Sequence, residues 1–262
     1  MGLSSDALKG KTCVVTGAAK SIGFGIAEKF AENGAKVVLL DIVPEIAAAA
    51  ESLKKRGHAA KGFVLDITDR DAVFACFATI IAEFGDIHTL VNNAGVVDQR
   101  PFEETGPEVF DRMFKVNVYG ASYCIQAAVP SMKKQKEGKI INFSSKSGKT
   151  GSALMAPYSA AKGAVIALTQ ALAFEYAPHN IKINAICPGI TGETGVWDSV
   201  SSGYIHNLKL PREEVIKKFT AKVPLARLTE IGDVVDFVFF LAASGDYCTG
   251  QAFNITGGRE MH

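Results

Sequence analysis

Short apolar runs rich in valine and isoleucine recur along this chain, separated by longer stretches in which apolar residues return every three or four positions. The runs are apolar throughout instead of alternating with polar residues, which is the pattern of strands covered on both faces of a parallel sheet. They predict strands at KTCVVT (11–16), KVVLLD (36–41), AKGFVL (60–65), HTLVN (88–92), KIINF (139–143), KINAI (182–186) and AFNIT (252–256). The helical periodicity fills the gaps near 22–33, 44–56, 69–84, 107–135 in two parts, 157–177, 212–221 and 231–243. Strand and helix alternate to the end, so residues 1–262 are expected to form a single α/β domain. It would be a doubly wound, seven-stranded parallel sheet with helices on both faces. The segment from Ile190 to Pro211 breaks this rhythm just after a strand and is rich in Gly, Ser and Thr. Ligands of open α/β sheets bind outside the carboxyl ends of the strands, so a substrate lid is expected over about 190–220.

Composition narrows the class. With 48% hydrophobic residues, 21% charged residues and a formal net charge of +1, the chain has neither the bias of a disordered protein nor the broad basic face that nucleic acid requires. MGLSSDALKGK contains no apolar core of signal-peptide length, and the longest apolar stretch, VVDFVFFLAA, is interrupted by Asp236. A cytoplasmic protein without membrane or nucleic-acid partners is expected. The five cysteines are scattered with no C-x-x-C spacing, which predicts buried free thiols. The histidines His58, His88, His179 and His262 lack metal-ligand spacing, so no metal is expected.

The first predicted strand runs into TGAAKSIGFG, a glycine-punctuated turn that opens a helix. This suits a phosphate cradle: Gly17 permits the tight turn, Gly23 lets backbone approach a pyrophosphate, and the helix beginning near Ile22 aims unpaired N–H groups at the anion. Asp41 ends the second strand where a dinucleotide fold places its ribose-binding carboxylate. Such a carboxylate repels a 2′-phosphate and favours NAD over NADP. Lys20, inside the turn, argues the other way but can swing to solvent. Asp66, followed by Ile67, is a candidate for the adenine pocket or for the cap of the next helix. Asn93, Ala94 and Gly95, in the loop Asn92-Asn93-Ala94-Gly95, form a tight hydrogen-bonded turn in which Gly95 allows close approach of a ligand.

PYSAAK places Tyr158 and Lys162 four residues apart in a predicted helix, hence on one face. A cation beside a phenol favours the phenolate, and the expectation is a tyrosine whose pKa falls toward the range of general acid/base catalysis. Ser145, at the end of the strand before it, offers a hydroxyl to orient a substrate oxygen. Asn117 in KVNVYG is a candidate to hold a relay water toward Lys162 with its carboxamide.

In this order and spacing the glycine turn, Asp66, NNAG, Asn117, Ser145, Tyr158/Lys162 and Pro188-Gly189 resemble the classical short-chain dehydrogenases/reductases over essentially the whole chain. The resemblance implies a Rossmann-type fold, usually a homotetramer, and hydride transfer between a nicotinamide and a carbonyl or secondary alcohol. It implies Tyr158 as proton donor or acceptor, Lys162 as ribose ligand and tuner of the tyrosine, Ser145 as support for the substrate oxygen, and Asn117 as holder of the relay water. It also puts Gly17, Lys20, Ser21, Ile22, Gly23, Asp41, Asp66, Ile67, Asn93, Ala94, Gly95, Pro188 and Gly189 against the cofactor. One departure is Ser21, which stands where the family's TGxxxGxG turn has its middle glycine.

SKSGKTGS, YSAAKG, the stretch from Tyr204 to KVPL, and DYCTGQAFNITGG are further similar to the sorbitol-6-phosphate dehydrogenases and related sugar-alcohol dehydrogenases. That similarity implies a polyol or ketose substrate, free or phosphorylated. Lys146 and Lys149, beside Ser145, could hold a phosphate or hydroxyls, as could His206, Lys209 and Arg212, while each also fits a solvated surface charge. Trp197 could cover a sugar ring, with Glu193 and Asp198 beside it binding hydroxyls. Two rivals stand next to this reading: an NADPH-dependent 3-oxoacyl-thioester reductase and a non-catalytic NAD-binding scaffold.

Overall fold

The computed structural model describes residues 6–192, 194 and 211–262. Its strands are β1 (Thr12–Thr16), β2 (Lys36–Asp41), β3 (Ala60–Val64), β4 (Ile87–Asn92), β5 (Gly138–Phe143), β6 (Ile181–Pro188) and β7 (Ala252–Ile255). They form one sheet in the order β3-β2-β1-β4-β5-β6-β7, with every pairing parallel. The chain builds outward from β1 to one edge, then restarts at β4 on the other side. The loops after β1 and β4 therefore diverge and open a crevice at the carboxyl ends of the central strands.

The helices are α1 (Ser21–Glu32), α2 (Ile46–Lys55), α3 (Arg70–Phe84), α4 (Pro107–Phe114), α5 (Ala121–Gln135), α6 (Lys146–Thr150), α7 (Ala156–Tyr176), α8 (Arg212–Thr220) and α9 (Ile231–Ala243). On one face of the sheet Ile26 and Phe30 of α1 meet Val234, Val238 and Leu241 of α9. On the other face Phe77 and Ile80 of α3 pack with Ile125 and Met132 of α5. All five residues of β1 are buried, because successive side chains enter opposite covered layers. This is why the strands carry unbroken apolar runs.

The expected elements fall within two residues of the observed ones, with two differences. The 107–135 region comes in two parts as expected, α4 and α5, and the first difference is the π-helical turn at Lys115–Gly120 that joins them. The second difference is α6, which no periodicity announced because KSGKT has no apolar stripe; the Ser145 hydroxyl starts it by accepting from the Ser147 N–H at 3.1 Å. Among the described residues no helix is long and apolar enough to cross a membrane.

Candidate active site

Helix α7 buries Tyr158, Ala161, Lys162, Val165, Thr169 and Ala173, a stripe at three- and four-residue spacing that lies against the sheet. Tyr158 and Lys162 are thereby fixed in the interior, 8% and 4% exposed. The Lys162 Nζ donates to the Phe143 carbonyl at the end of β5 (2.8 Å) and lies 5.7 Å from the centre of the Tyr158 ring. The helix is registered on the sheet by polar contacts. The Ser144 hydroxyl donates to the Lys162 carbonyl (2.7 Å), and Asn142 Nδ2 donates to the Thr169 hydroxyl (3.0 Å).

The electrostatics correct the expectation of a depressed tyrosine. Burial pushes the Tyr158 phenol up to about 12, and a hydrogen bond with Ser145 only partly opposes it. Burial also lowers Lys162 to about 8. Taking both groups out of water penalises phenolate and ammonium alike, and burial is the largest cause of both shifts. At neutral pH the phenol is therefore a protonated donor.

Asn117 sits in the π turn, a feature concentrated at functional sites. Its carboxamide is held at both ends: Nδ2 donates to the carbonyls of Val96 and Met113 (both 2.9 Å), and Oδ1 accepts from the Val96 N–H (3.3 Å). These bonds tie the loop after β4 to the helix that follows it, and Oδ1 keeps a second acceptor position.

Around the glycine turn, Asn93 Nδ2 donates to the carbonyls of Thr16 and Gly17 (3.0 and 2.9 Å), and the Thr16 hydroxyl accepts from the Ala94 N–H (3.1 Å). The loops after β1 and β4 thus brace each other across the crevice. A Cβ on Gly23 would drive into the Gly17 carbonyl oxygen, so the turn's own backbone requires this glycine. Ser21 has a φ of 52°, so the turn keeps a glycine-like backbone where the family's glycine is replaced. Asp41 Oδ2 accepts from the Ala19 N–H (3.0 Å), joining the end of β2 to the same turn. Lys20 is exposed at the start of α1.

Asp66 is not the cap of α3. Its Oδ1 accepts from the Thr68 N–H (2.8 Å), and Asp69 caps the helix through the Ala72 N–H. The Ile67 side chain is buried against Gly120, which puts it in the core and not in the crevice.

A cavity of about 440 Å³ brings together Ser145, Tyr158, Lys162, Asn117, Pro188 and Gly189. Ile22, at the start of α1, and Asn93 and Gly95, from the loop after β4, join it, as does Lys146 from α6. Lys149 lies outside this lining and instead reaches the carbonyl of His262 (3.5 Å). Trp197, Glu193, Asp198, Tyr204, His206 and Lys209 lie outside the described residues. The cavity also contains Lys218, Lys222 and Arg259, which the sequence reading missed. These come from separate segments near the C-terminus, and no local motif marks them.

The family model for short chain dehydrogenase matches residues 11–204. The chain belongs to this family. Sorbitol dehydrogenase of Cereibacter sphaeroides is 38% identical to it over 97% of this chain and 99% of its own. Galactitol 2-dehydrogenase of Agrobacterium fabrum is 37% identical with the same coverage. Among solved structures, NAD⁺-bound xylitol dehydrogenase superposes with a TM-score of 0.91 at 32% identity, over 96% of this chain and 99% of that one. In this short-chain dehydrogenase His88 is a packing residue, as expected, its Nδ1 accepting from the Thr12 N–H (3.1 Å). All five cysteines are free thiols, with Cys13, Cys124 and Cys187 buried and Cys76 and Cys248 half-buried.

Proposed function

We propose that this dehydrogenase transfers hydride between NAD(H) and a secondary alcohol or ketone of a polyol or ketose, free or phosphorylated, with sorbitol 6-phosphate as the model substrate. The observation that carries the reading is one cavity bringing together a buried protonated phenol, a buried ammonium and the Ser145 hydroxyl beside the carboxyl ends of the central strands. The sugar-alcohol names of the relatives support the substrate class, and the NAD⁺-bound neighbour supports the cofactor.

The residues present fit a dinucleotide. A Cβ on Gly95 would come within 2.7 Å of Asn117 Oδ1 and 3.3 Å of Lys162 Nζ, so the glycine keeps the crevice open beside the catalytic pair. In this reading the turn Gly17–Gly23, with Ser21 and Ile22, holds the phosphates. Asp41 accepts from the adenosine ribose, since its carboxylate retains acceptor capacity after binding the Ala19 and Val43 N–H groups. The backbone near Asp66 and Ile67, the loop Asn93–Gly95 and Pro188–Gly189 complete the contact, with Lys162 at the nicotinamide ribose. When bound, the nicotinamide supplies or accepts the hydride.

The chain's own residues handle the proton. In carbonyl reduction Tyr158 Oη donates its proton to the substrate oxygen, which Ser145 Oγ steadies, and Lys162 offsets the phenolate charge left behind. In alcohol oxidation the same oxygen takes the proton back. Asn117 keeps the Val96 backbone in place beside them. The family resemblance adds a cytoplasmic homotetramer to this proposal, which light scattering of the purified protein tests.

The deciding experiment follows absorbance of the reduced nicotinamide with ketoses, ketose phosphates and acyl thioesters, each with NADH and NADPH. Reduction of a ketose or its phosphate with NADH is expected. Turnover confined to thioesters and NADPH would make the chain a 3-oxoacyl reductase. Tight cofactor binding with no turnover anywhere would make it a scaffold.

A further inference from the structure

Five cationic side chains line the cavity around Tyr158: Lys146, Lys162, Lys218, Lys222 and Arg259. No carboxylate lines it among the described residues. Lys162 belongs to the catalytic pair, while the other four have no part in moving a hydride or its proton. They come from α6, from the end of α8 and the turn beyond it, and from the loop after β7. Lys218 and Lys222 are near neighbours in sequence, but Lys146 and Arg259, 113 residues apart, converge on the same cavity from other segments.

The inner members of the group are held in place. The Arg259 side chain is 18% exposed, its Nε is 3.4 Å from Oε1 of the buried Glu260, and its guanidinium carbon is 5.8 Å from the centre of the Phe219 ring. Lys146 is half-buried and donates to the Gly151 carbonyl (3.3 Å). Burial first, and then the charges of Arg259 and Lys222, lower its pKa, while Glu260 opposes them. The exposed Lys218 and Lys222 reach the cavity from the solvent side. On the same wall the hydroxyls of Ser147 and Ser152 are 2.8 Å apart. Like charges crowded into a partly dry cavity repel one another, and an oxyanion among them turns that repulsion into binding. The phosphate-cradling turn after β1 contributes only Ile22 to this cavity, so the cations and the turn serve different anions.

We propose that Lys146, Lys222 and Arg259, with Lys218 beside them, form a subsite for an oxyanion group that the substrate carries away from its reacting carbon, either a phosphate ester or a carboxylate. The proposal rests on the dehydrogenase reading and sharpens it: the preferred substrate is an anionic polyol derivative, and Lys222 and Arg259 determine that preference.

The test compares kcat/KM with NADH for three ketoses of equal chain length: a neutral one, its end-phosphorylated form and its end-carboxylated form. The wild type is expected to prefer at least one anionic substrate by about tenfold or more, and the better of the two anions identifies the group. Lys222→Gln and Arg259→Gln should each reduce that preference about tenfold, mainly through KM, and Lys222→Arg should restore most of it. A second measurement does not depend on turnover. Inorganic phosphate at 10 mM, against chloride at matched ionic strength, should raise the wild-type Tm by about 2–4 °C and raise that of the Lys222→Gln/Arg259→Gln double variant much less. Equal or better use of the neutral ketose, no phosphate-dependent rise in Tm, or a preference unchanged in both single variants would each overturn the subsite. Failure to turn over any of the three ketoses, with the Tm rise intact and lost in the double variant, would remove the dehydrogenase reading and leave the anion site standing.

Discussion

Replacing Lys162 by methionine removes the charged end and keeps an unbranched side chain one atom shorter, so the variant reports mainly the stability cost of the buried ammonium. Burial lowers this lysine from 10.5 to about 8. Each pH unit corresponds to about 1.4 kcal/mol, so keeping Lys162 protonated in the folded chain at pH 7 costs about 3 kcal/mol. Against this stands the 2.8 Å bond from Nζ to the Phe143 carbonyl, whose loss costs about 1 kcal/mol. Lys162→Met should therefore be more stable than wild type at pH 7 by about 2 kcal/mol, while losing turnover. The pH dependence provides the sharper signature. Unfolded lysine keeps its proton until about pH 10.5 and the folded residue releases it near 8, so between these values the unfolded state binds more protons and wild-type stability rises with pH. The penalty is complete below pH 8 and gone above 10.5. The variant's advantage should shrink across that window and become a deficit of about 1 kcal/mol at its top. Equilibrium urea denaturation of both proteins at pH 7, 8.5 and 10 measures this. A variant less stable than wild type at pH 7, or an advantage that does not change with pH, would refute the reasoning.

Tyr158→Phe should lower turnover about 10²- to 10⁴-fold with the NADH dissociation constant little changed, since the proposed role of the phenol is to donate to the substrate oxygen; undiminished activity would remove Tyr158 from that role. Asp41→Asn keeps an acceptor for the Ala19 N–H but loses the charge that repels a 2′-phosphate, so the ratio of kcat/KM for NADH over NADPH should fall about tenfold or more. An unchanged ratio would mean that Asp41 does not face the ribose. Gly23→Ala forces a methyl group into the Gly17 carbonyl, and isothermal titration should show NADH binding weakened at least about tenfold with little change in circular dichroism. Wild-type affinity in that variant would show that the turn adapts.

The sheet was legible because its signal is redundant. Each strand is buried on both faces and announces itself as an apolar run, and each helix carries its own stripe. Tyr158 and Lys162 were legible because both lie within one helical turn, where four-residue spacing alone puts them on one face. What escaped depends on the surroundings. The sequence showed a cation next to a phenol but not that both would be dry, and burial reverses the direction of the tyrosine's shift. The bonds of the Asn117 carboxamide to Val96 and Met113 were not legible because those partners are backbone groups, which a residue pattern does not display. Arg259 and Lys222 escaped for a related reason: neighbours in the chain do not reveal that both face Lys146 across a cavity.

The same dependence on surroundings explains why Gly95, Asn117 and Lys162 act as one unit although 67 residues separate the first from the last. A side chain on Gly95 would press on Asn117 Oδ1 before it reached Lys162 Nζ, and Asn117 is held by the backbone of Val96, the residue after that glycine. Moving the loop after β4 therefore displaces Asn117. The π turn around Asn117 in turn lies against α7, the helix that carries Tyr158 and Lys162. A substitution at Gly95 should accordingly disturb proton transfer as well as cofactor binding. The bare Cα of Gly95 thus leaves room for the Asn117 carboxamide and for the ammonium together.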